Sequence, residues 1–223
     1  MFFSSSQMSE SRLTGCVLAI VGGGLDAYTY LCRGHVFANA ETGNIVLLGL
    51  RLAEGDWTGA LLYLIPILAF ASGVLVAESI RRHLSTRPHL HWRQYVVLLE
   101  GLILCVVAAI PLGTWDVAAN ILVAFVCALQ VECFRKIHGN PLATTLCTGN
   151  LRTGTELLFR FRQTGDTALL KKGLEYYLII LFFILGAIGG SLLSRFLAGQ
   201  TVLVFAALLA VVFGLMFFRP SEE

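Results

Sequence analysis

Apolar residues along this chain gather into six runs, at about 13 to 33, 58 to 80, 94 to 112, 115 to 134, 174 to 195 and 199 to 218, each nearly free of charge inside. Runs of about 20 residues match the length a helix rising 1.5 Å per residue needs to cross roughly 30 Å of hydrocarbon. In lipid the backbone must satisfy its own hydrogen bonds. Long continuous runs do so as helices, whereas a membrane barrel shows short alternating strands. The pattern therefore predicts an all-α membrane protein with about six transmembrane helices.

Two of the connections between runs share a pattern. Residues 34 to 56 contain Glu41-Thr42-Gly43-Asn44 and then the apolar stretch Ile45 to Leu50; residues 135 to 173 contain Cys147-Thr148-Gly149-Asn150 and then an amphipathic stretch through Leu157, Leu158 and Phe161. From Asn44 to Asn150 is 106 positions, and the same step carries Asp26 onto Glu132. A step of 113 carries Tyr63, Ile67, Leu68, Phe70, Gly73, Arg82 and Leu84 onto identical residues at Tyr176, Ile180, Leu181, Phe183, Gly186, Arg195 and Leu197. The chain thus reads as two related halves, 1–113 and 114–223, forming one integrated membrane domain. Each half holds three spans, and because three is odd the second half is expected upside down relative to the first. Inverted repeats are common in transporters, whose sites lie near the midplane where broken helices of both halves meet.

Composition agrees with this reading: 57% of the residues are hydrophobic and 13% charged, against roughly 25% charged in soluble domains. The net charge of +2 gives no concentrated basic face for nucleic acid. Its distribution says more, because Lys and Arg near helix ends resist translocation. Six spans with the N-terminus inside put 13 basic residues on one side (Arg12, Arg81, Arg82, Arg87, Arg93, Arg135, Lys136, Arg152, Arg160, Arg162, Lys171, Lys172 and Arg219) and only Arg33, Arg51 and Arg195 on the other. The first side is expected to be cytoplasmic, with both termini on it. The first triplet then falls outside and the second inside. Met1 to Arg12 is polar and Ser-rich, and the run after it carries Asp26 and Gly22-Gly23-Gly24, so it reads as a retained first helix and not a cleaved leader. The six cysteines show no CxxC pair or His/Cys ligand spacing and read as buried free thiols.

The candidate chemistry is sparse. An ionisable residue in a span costs at least about 2.5 kcal/mol at the helix centre, so it faces protein or a water-filled cavity and often marks an ion path. Asp26 is the sharpest case, set against a purely structural hydrogen bond. Glu132 lies nearer its helix end, where pairing with Arg135 or Lys136 is the alternative. Thr42, Gly43 and Asn44, and Thr148, Gly149 and Asn150, are expected to form the start of a re-entrant or interfacial segment in each half, with Thr or Asn capping the helix and Gly allowing close approach. Gln130 belongs to the same set. His35 and His138 follow the first span of each half and are candidates for proton coupling, with interfacial packing as the default. His83, His89 and His91 sit among arginines and read as a solvated basic loop rather than a metal site. There is no GxSxG, GxxxxGK or HExxH. No enzyme, metal or cofactor is expected.

Gly23-Gly24-Leu25-Asp26-Ala27 with Tyr30-Leu31, Gly34-His35-Val36-Phe37-Ala38-Asn39 with Thr42-Gly43-Asn44, and Ala143-Thr144-Thr145 with Thr148-Gly149-Asn150 together resemble the YoaK family of multi-pass bacterial membrane proteins. The resemblance covers essentially the whole chain and implies a bacterial inner membrane location without a particular substrate. Where the family pattern carries a Gln-Asn pair on the fourth helix, this chain reads Gln130-Val131-Glu132, which leaves the role of Glu132 open.

The expected function is transport of a small solute or ion, with proton coupling as one variant. The alternative is a non-transporting scaffold or sensor using its basic cytoplasmic loops. Partners are the lipid bilayer and that solute, and a chain of six spans is compatible with a homodimer.

Overall fold

The computed structural model describes residues 8–85, 91–137 and 139–217; Arg87, His89, His138 and Arg219 lie outside them. The main elements are α1 Arg12–Cys32, α2 Glu41–Ala53, α3 Trp57–Leu84, α4 Trp92–Ala109, α5 Asp116–Cys133, the antiparallel pair β1 Lys136–Ile137 and β2 Asn140–Pro141, α6 Cys147–Thr164, α7 Thr167–Leu197 and α8 Val202–Leu215. The protein is a multi-pass helical membrane protein. Among the described residues five stretches are long and apolar enough to cross a bilayer: α1, α3, α4, α5, and Thr167–Leu215. The last is not one rod, since a 3-10 turn at Ala198–Thr201 separates α7 from α8.

Local chemistry explains the helix starts. Ser11 accepts from Thr14 N–H at 3.2 Å, Asp56 from Gly59 N–H at 2.9 Å and Asp166 from Ala168 N–H at 2.8 Å, while His91 and Gln94 form a reciprocal box at the start of α4. Each satisfies N–H groups that a helix start leaves open. Burial pulls the His91 ring below its ordinary value, and the nearby Arg93 charge adds to that. α6 stops at Gly165, whose φ of 69° places it in the left-handed region. α7 begins at Thr167, seven positions before the apolar run, because Asp166 caps a polar first turn that hydropathy alone does not register.

Burial is inside out. α3 buries Ala60, Pro66, Ala69, Gly73 and Ala77 and exposes Leu61, Leu68 and Leu75; α7 buries Gly186, Gly190 and Ser194 and exposes Leu181, Leu185 and Ile188. Large aliphatic side chains outside and small ones between helices suit lipid as the surrounding solvent. At Gly186 a Cβ would strike the Ile20 backbone, and at Gly73 it would meet Phe125 O and Ala128 Cβ at 2.7 Å each. α1 packs on α7, α3 on α5, α2 on α3, α6 on α7, α4 on α8 and on α5, and α1 also touches α8.

Two arginines, one fully buried and one partly buried, clasp the bundle. Arg33, fully buried at the end of α1, donates to Tyr28 Oη (2.8 Å), the Pro111 and Ile110 carbonyls (2.9 Å each), the Val107 carbonyl (3.3 Å) and Asp116 Oδ1 (2.9 Å). Arg93, at the start of α4, donates to the Cys133 carbonyl (2.9 Å), Ser9 Oγ (2.8 Å) and Glu10 Oε1 (3.0 Å). The two clasps join α1, α4 and α5 at one end and α4 and α5 at the other.

Candidate functional site

Gly22 lies ten residues from either end of α1, so about 15 Å of helix separates it from each end. Both long connections reach it. After α1, Gly34 and His35 take φ values of 81° and 61°, and the chain doubles back along the helix it has just left. Asn39 N–H donates to Asp26 Oδ1 at 2.8 Å, Ala38 N–H also serves that carboxylate, and Asn39 Nδ2 donates to the Gly22 carbonyl at 3.1 Å. The second connection comes from the other end of α1. Ile137 packs on Gly15, Gln130 Nε2 donates to the Leu18 carbonyl and to Thr144 Oγ1 at 3.0 Å each, and the Thr145 methyl lies against Gly22. Asn39 and Thr145 correspond to one another under the 106-residue step, and both abut Gly22.

Each triplet sorts its residues the same way. Asn44 is fully buried and donates from Nδ2 to the carbonyl of Phe37, seven positions back, at 2.8 Å; Asn150 does the same to Ala143 at 2.6 Å. Thr42 and Thr148 point outward. The expected capping role is not what the triplets do: the N-cap positions are Ala40 and Leu146, and neither makes a side-chain cap. The triplets sit one turn further in, from where an Asn side chain reaches backward to hold the incoming loop.

Oxygen atoms dominate what is left unpaired. Asn44 Nδ2 also donates to Glu41 Oε2 at 3.2 Å. Because the amide groups of Asn39 and Asn44 donate to oxygen acceptors, their orientations are set. Asn39 Oδ1, Asn44 Oδ1, Glu41 Oε1 and Thr145 Oγ1 are buried with no hydrogen-bond partner. The Cys127 thiol lies against Asn39 from α5. Burial pushes the Glu41 carboxyl up to about 7, with the Asn44 hydrogen bond pulling the other way. Burial also lifts the Cys147 thiol to about 11, helped by the Asp26 charge.

Other singled-out residues lie elsewhere. Glu132 turns to its own helix end and pairs with Arg135, which also holds Glu78. His35 is exposed and packs edge-on to Tyr30, which stacks on Phe37. Glu100, which the charge pattern alone did not single out, is fully buried halfway along α4 with both carboxyl oxygens unpaired. An open pocket of about 340 Å³ borders the second triplet, lined by Arg135, Ala143, Gly149, Asn150, Thr153 and Tyr176 among others. Among the described residues no three His, Cys, Asp or Glu side chains gather as metal ligands.

Residues 14–216 match the family described as "Protein of unknown function (DUF1275)". The UPF0700 transmembrane protein YoaK of Bacillus subtilis (strain 168) is 29% identical over 141 residues, which is 60% of this chain and 61% of that protein. No solved structure matches.

Proposed function

Since the chain belongs to the DUF1275 family, whose description names no activity, we propose from the site itself that the protein moves a small solute or ion across the bacterial inner membrane. In this reading 1–113 and 114–223 are inverted three-helix repeats with six spans in all, α8 being the sixth, and the path runs between them past Gly22. The observation that carries it is the meeting of Asn39 and Thr145, from equivalent connections, at the midpoint of α1 beside buried Asp26. Broken chain at membrane depth is tolerated where it is buried in protein or lines a cavity.

Packing supports the repeat. Exchanging α1 to α4 with α5 to α8 turns the α1–α7 contact into α5–α3, α2–α3 into α6–α7 and α1–α8 into α5–α4, and returns α4–α8 to itself; each of these contacts is present. Gly73 and Gly186 occupy the same place in the two matching crossings.

Asp26, Asn39, Asn44, Gln130, Thr145 and Asn150 then line or brace the path, while Thr42, Gly43, Thr148 and Gly149 form the first turns behind it. Asp26 is costly as a bare charge and cheap as a neutral acid or beside a cation, so its occupancy biases which connection moves. Flux into proteoliposomes, screened over inorganic ions, amines and small organic acids with and without a pH gradient, tests the reading. Asp26→Asn is expected to abolish coupled uptake with the fold retained; no flux for any solute class counts against transport.

The scaffold reading draws on exposed Arg152, Arg160 and Arg162 on α6. It expects those arginines to govern the cellular phenotype and Asp26 to be dispensable, the reverse of the transport expectation.

A further inference from the structure

Between Cys147 and Gly173 the chain carries five basic side chains, Arg152, Arg160, Arg162, Lys171 and Lys172, against two acidic ones, Glu156 and Asp166. All five basic residues are exposed, and among the described residues none of them joins an ion pair. Three of the five stand on α6. That helix has 18 residues but is not among the stretches apolar enough to cross a bilayer. It rests on α7, where a Cβ on Gly173 would come within 3.3 Å of the Gly154 carbonyl, and of its own residues only Asn150 and Gly154 are buried. Arg152, Phe159 and Arg162, seven and three positions apart, share one exposed side. Phe159 is 61% exposed, and Leu151, next to Arg152, is open as well.

Neither water nor hydrocarbon suits such a face. Water disfavours exposed Leu151 and Phe159, and an unpaired guanidinium is costly in the hydrocarbon core. The layer between them accommodates both, since apolar side chains dip below the headgroups while long basic ones reach back to them. The helix that the 106-residue step relates to α6 shows that the charge is a separate feature. α2 also exposes apolar side chains, Ile45, Val46 and Leu50, yet its one basic residue, Arg51, is held by Glu54 and Asp56. Residues 41–60 carry that one base against three acids. An exposed apolar helix here therefore needs no surplus of positive charge, and the surplus on α6 calls for a negative partner. Guanidinium groups match the oxygens of a phosphate, and apolar side chains interleaved with them match a phospholipid rather than a soluble anion.

We infer that the exposed side of α6, with Lys171 and Lys172 at the start of α7, is a docking surface for anionic phospholipid in the leaflet it faces. The inference goes beyond the transport reading and does not depend on it, because an anionic lipid layer can hold α6 whether or not a solute passes Gly22.

The test is thermal unfolding of the full chain in detergent micelles titrated with phosphatidylglycerol or with phosphatidylcholine of the same acyl chains. Phosphatidylglycerol is expected to raise Tm saturably and further than phosphatidylcholine, and the excess is expected to shrink as NaCl is added, since exposed charges are screened. Arg152→Gln, Arg160→Gln and Arg162→Gln combined are expected to leave the phosphatidylcholine response and to remove the excess, while Arg51→Gln on α2 is expected to keep it. Equal rises with the two lipids, an excess that salt does not reduce, or an excess undiminished in the triple variant overturns the inference. A matching rise with inorganic phosphate alone marks an adventitious ion only and overturns it too. A cellular phenotype of the triple variant without any lipid excess assigns the face to a soluble acidic partner instead. Absence of flux with the lipid excess intact sinks transport and leaves the lipid surface standing.

Discussion

At the scale of single residues, Arg33 shows how far a charge count can mislead about role. Counted along the chain it is one of three basic residues on the sparse side, yet it is fully buried with five acceptors around its guanidinium. Replacing one member of a buried pair strands the other, and the partners here include Asp116, whose side chain is 19% exposed. Arg33→Met is expected to cost about 3 kcal/mol, the low end for a broken buried pair because Asp116 keeps some water; thermal unfolding in detergent measures it, and an unchanged Tm would remove the clasp. Arg33→Lys should fall between, since a point charge cannot reproduce the planar fork. The paired Asn residues make a sharper comparison. Asn44→Ala and Asn150→Ala each strand one part-buried carbonyl, at about 1–3 kcal/mol, and Asn44→Ala also frees Glu41 Oε2; a loss of stability is expected at both, and a large loss at one with none at the other would break the equivalence of the triplets. Asp26 was legible because a carboxylate in an apolar run is rare. Glu100 stands in an equally apolar run, so the same signal could have found it, and it is fully buried on α4, which packs on α5 and α8. Glu132 was visible too, but its choice of Arg135 over the polar centre depends on a helix ending one residue later.

At the scale of elements, hydropathy found the long helices because a bilayer sets a minimum apolar length for each, met by 18 residues in α4 and 31 in α7. It could not find what depends on pairing. The two-residue strands at Lys136–Ile137 and Asn140–Pro141 exist because Ile137 is needed in the gap beside Gly15, and the polar first turn of α7 exists because Asp166 caps it. Glycine makes the contrast testable. A methyl at Gly73 would meet Phe125 O and Ala128 Cβ at 2.7 Å, while a methyl at Gly189 would meet nothing within 4 Å. Gly73→Ala is expected to destabilise by about 1–3 kcal/mol through overpacking of α3 on α5. Gly189→Ala is expected to be neutral or to stabilise by up to about 1 kcal/mol through helix propensity. Equal effects at the two sites would mean that the α3–α5 crossing is not the tight one.

At the scale of the whole molecule, the proposed repeat is written in the sequence as two offsets, 106 and 113, and the second relates Gly73 at the α3–α5 crossing to Gly186 at the α1–α7 crossing. What the offsets could not carry is that the loops before the triplets, rather than the triplets themselves, meet at Gly22. That depends on positive φ at Gly34 and His35 sending the chain back along α1. The reading of inverted halves commits to a particular arrangement across the bilayer. Thr42 and Thr148 are both exposed at the first turn of their helices, and in the inverted reading the connections that carry them open to opposite faces, so labelling of a cysteine at each place reads which face water reaches it from. In a background where Cys32, Cys105 and Cys147, the native cysteines with some exposure, are replaced by Ala, a membrane-impermeant maleimide applied to whole cells is expected to label Thr42→Cys and to spare Thr148→Cys. Inverted vesicles should reverse the pattern. In the inverted reading an odd number of crossings between equivalent positions leaves them on opposite faces, and the 13-to-3 distribution of basic residues is what predicts which face is which. Labelling of both cysteines from one side would require an even number of crossings between them, and the meeting of Asn39 and Thr145 at Gly22 would then be a structural contact between loops and not the centre of a path.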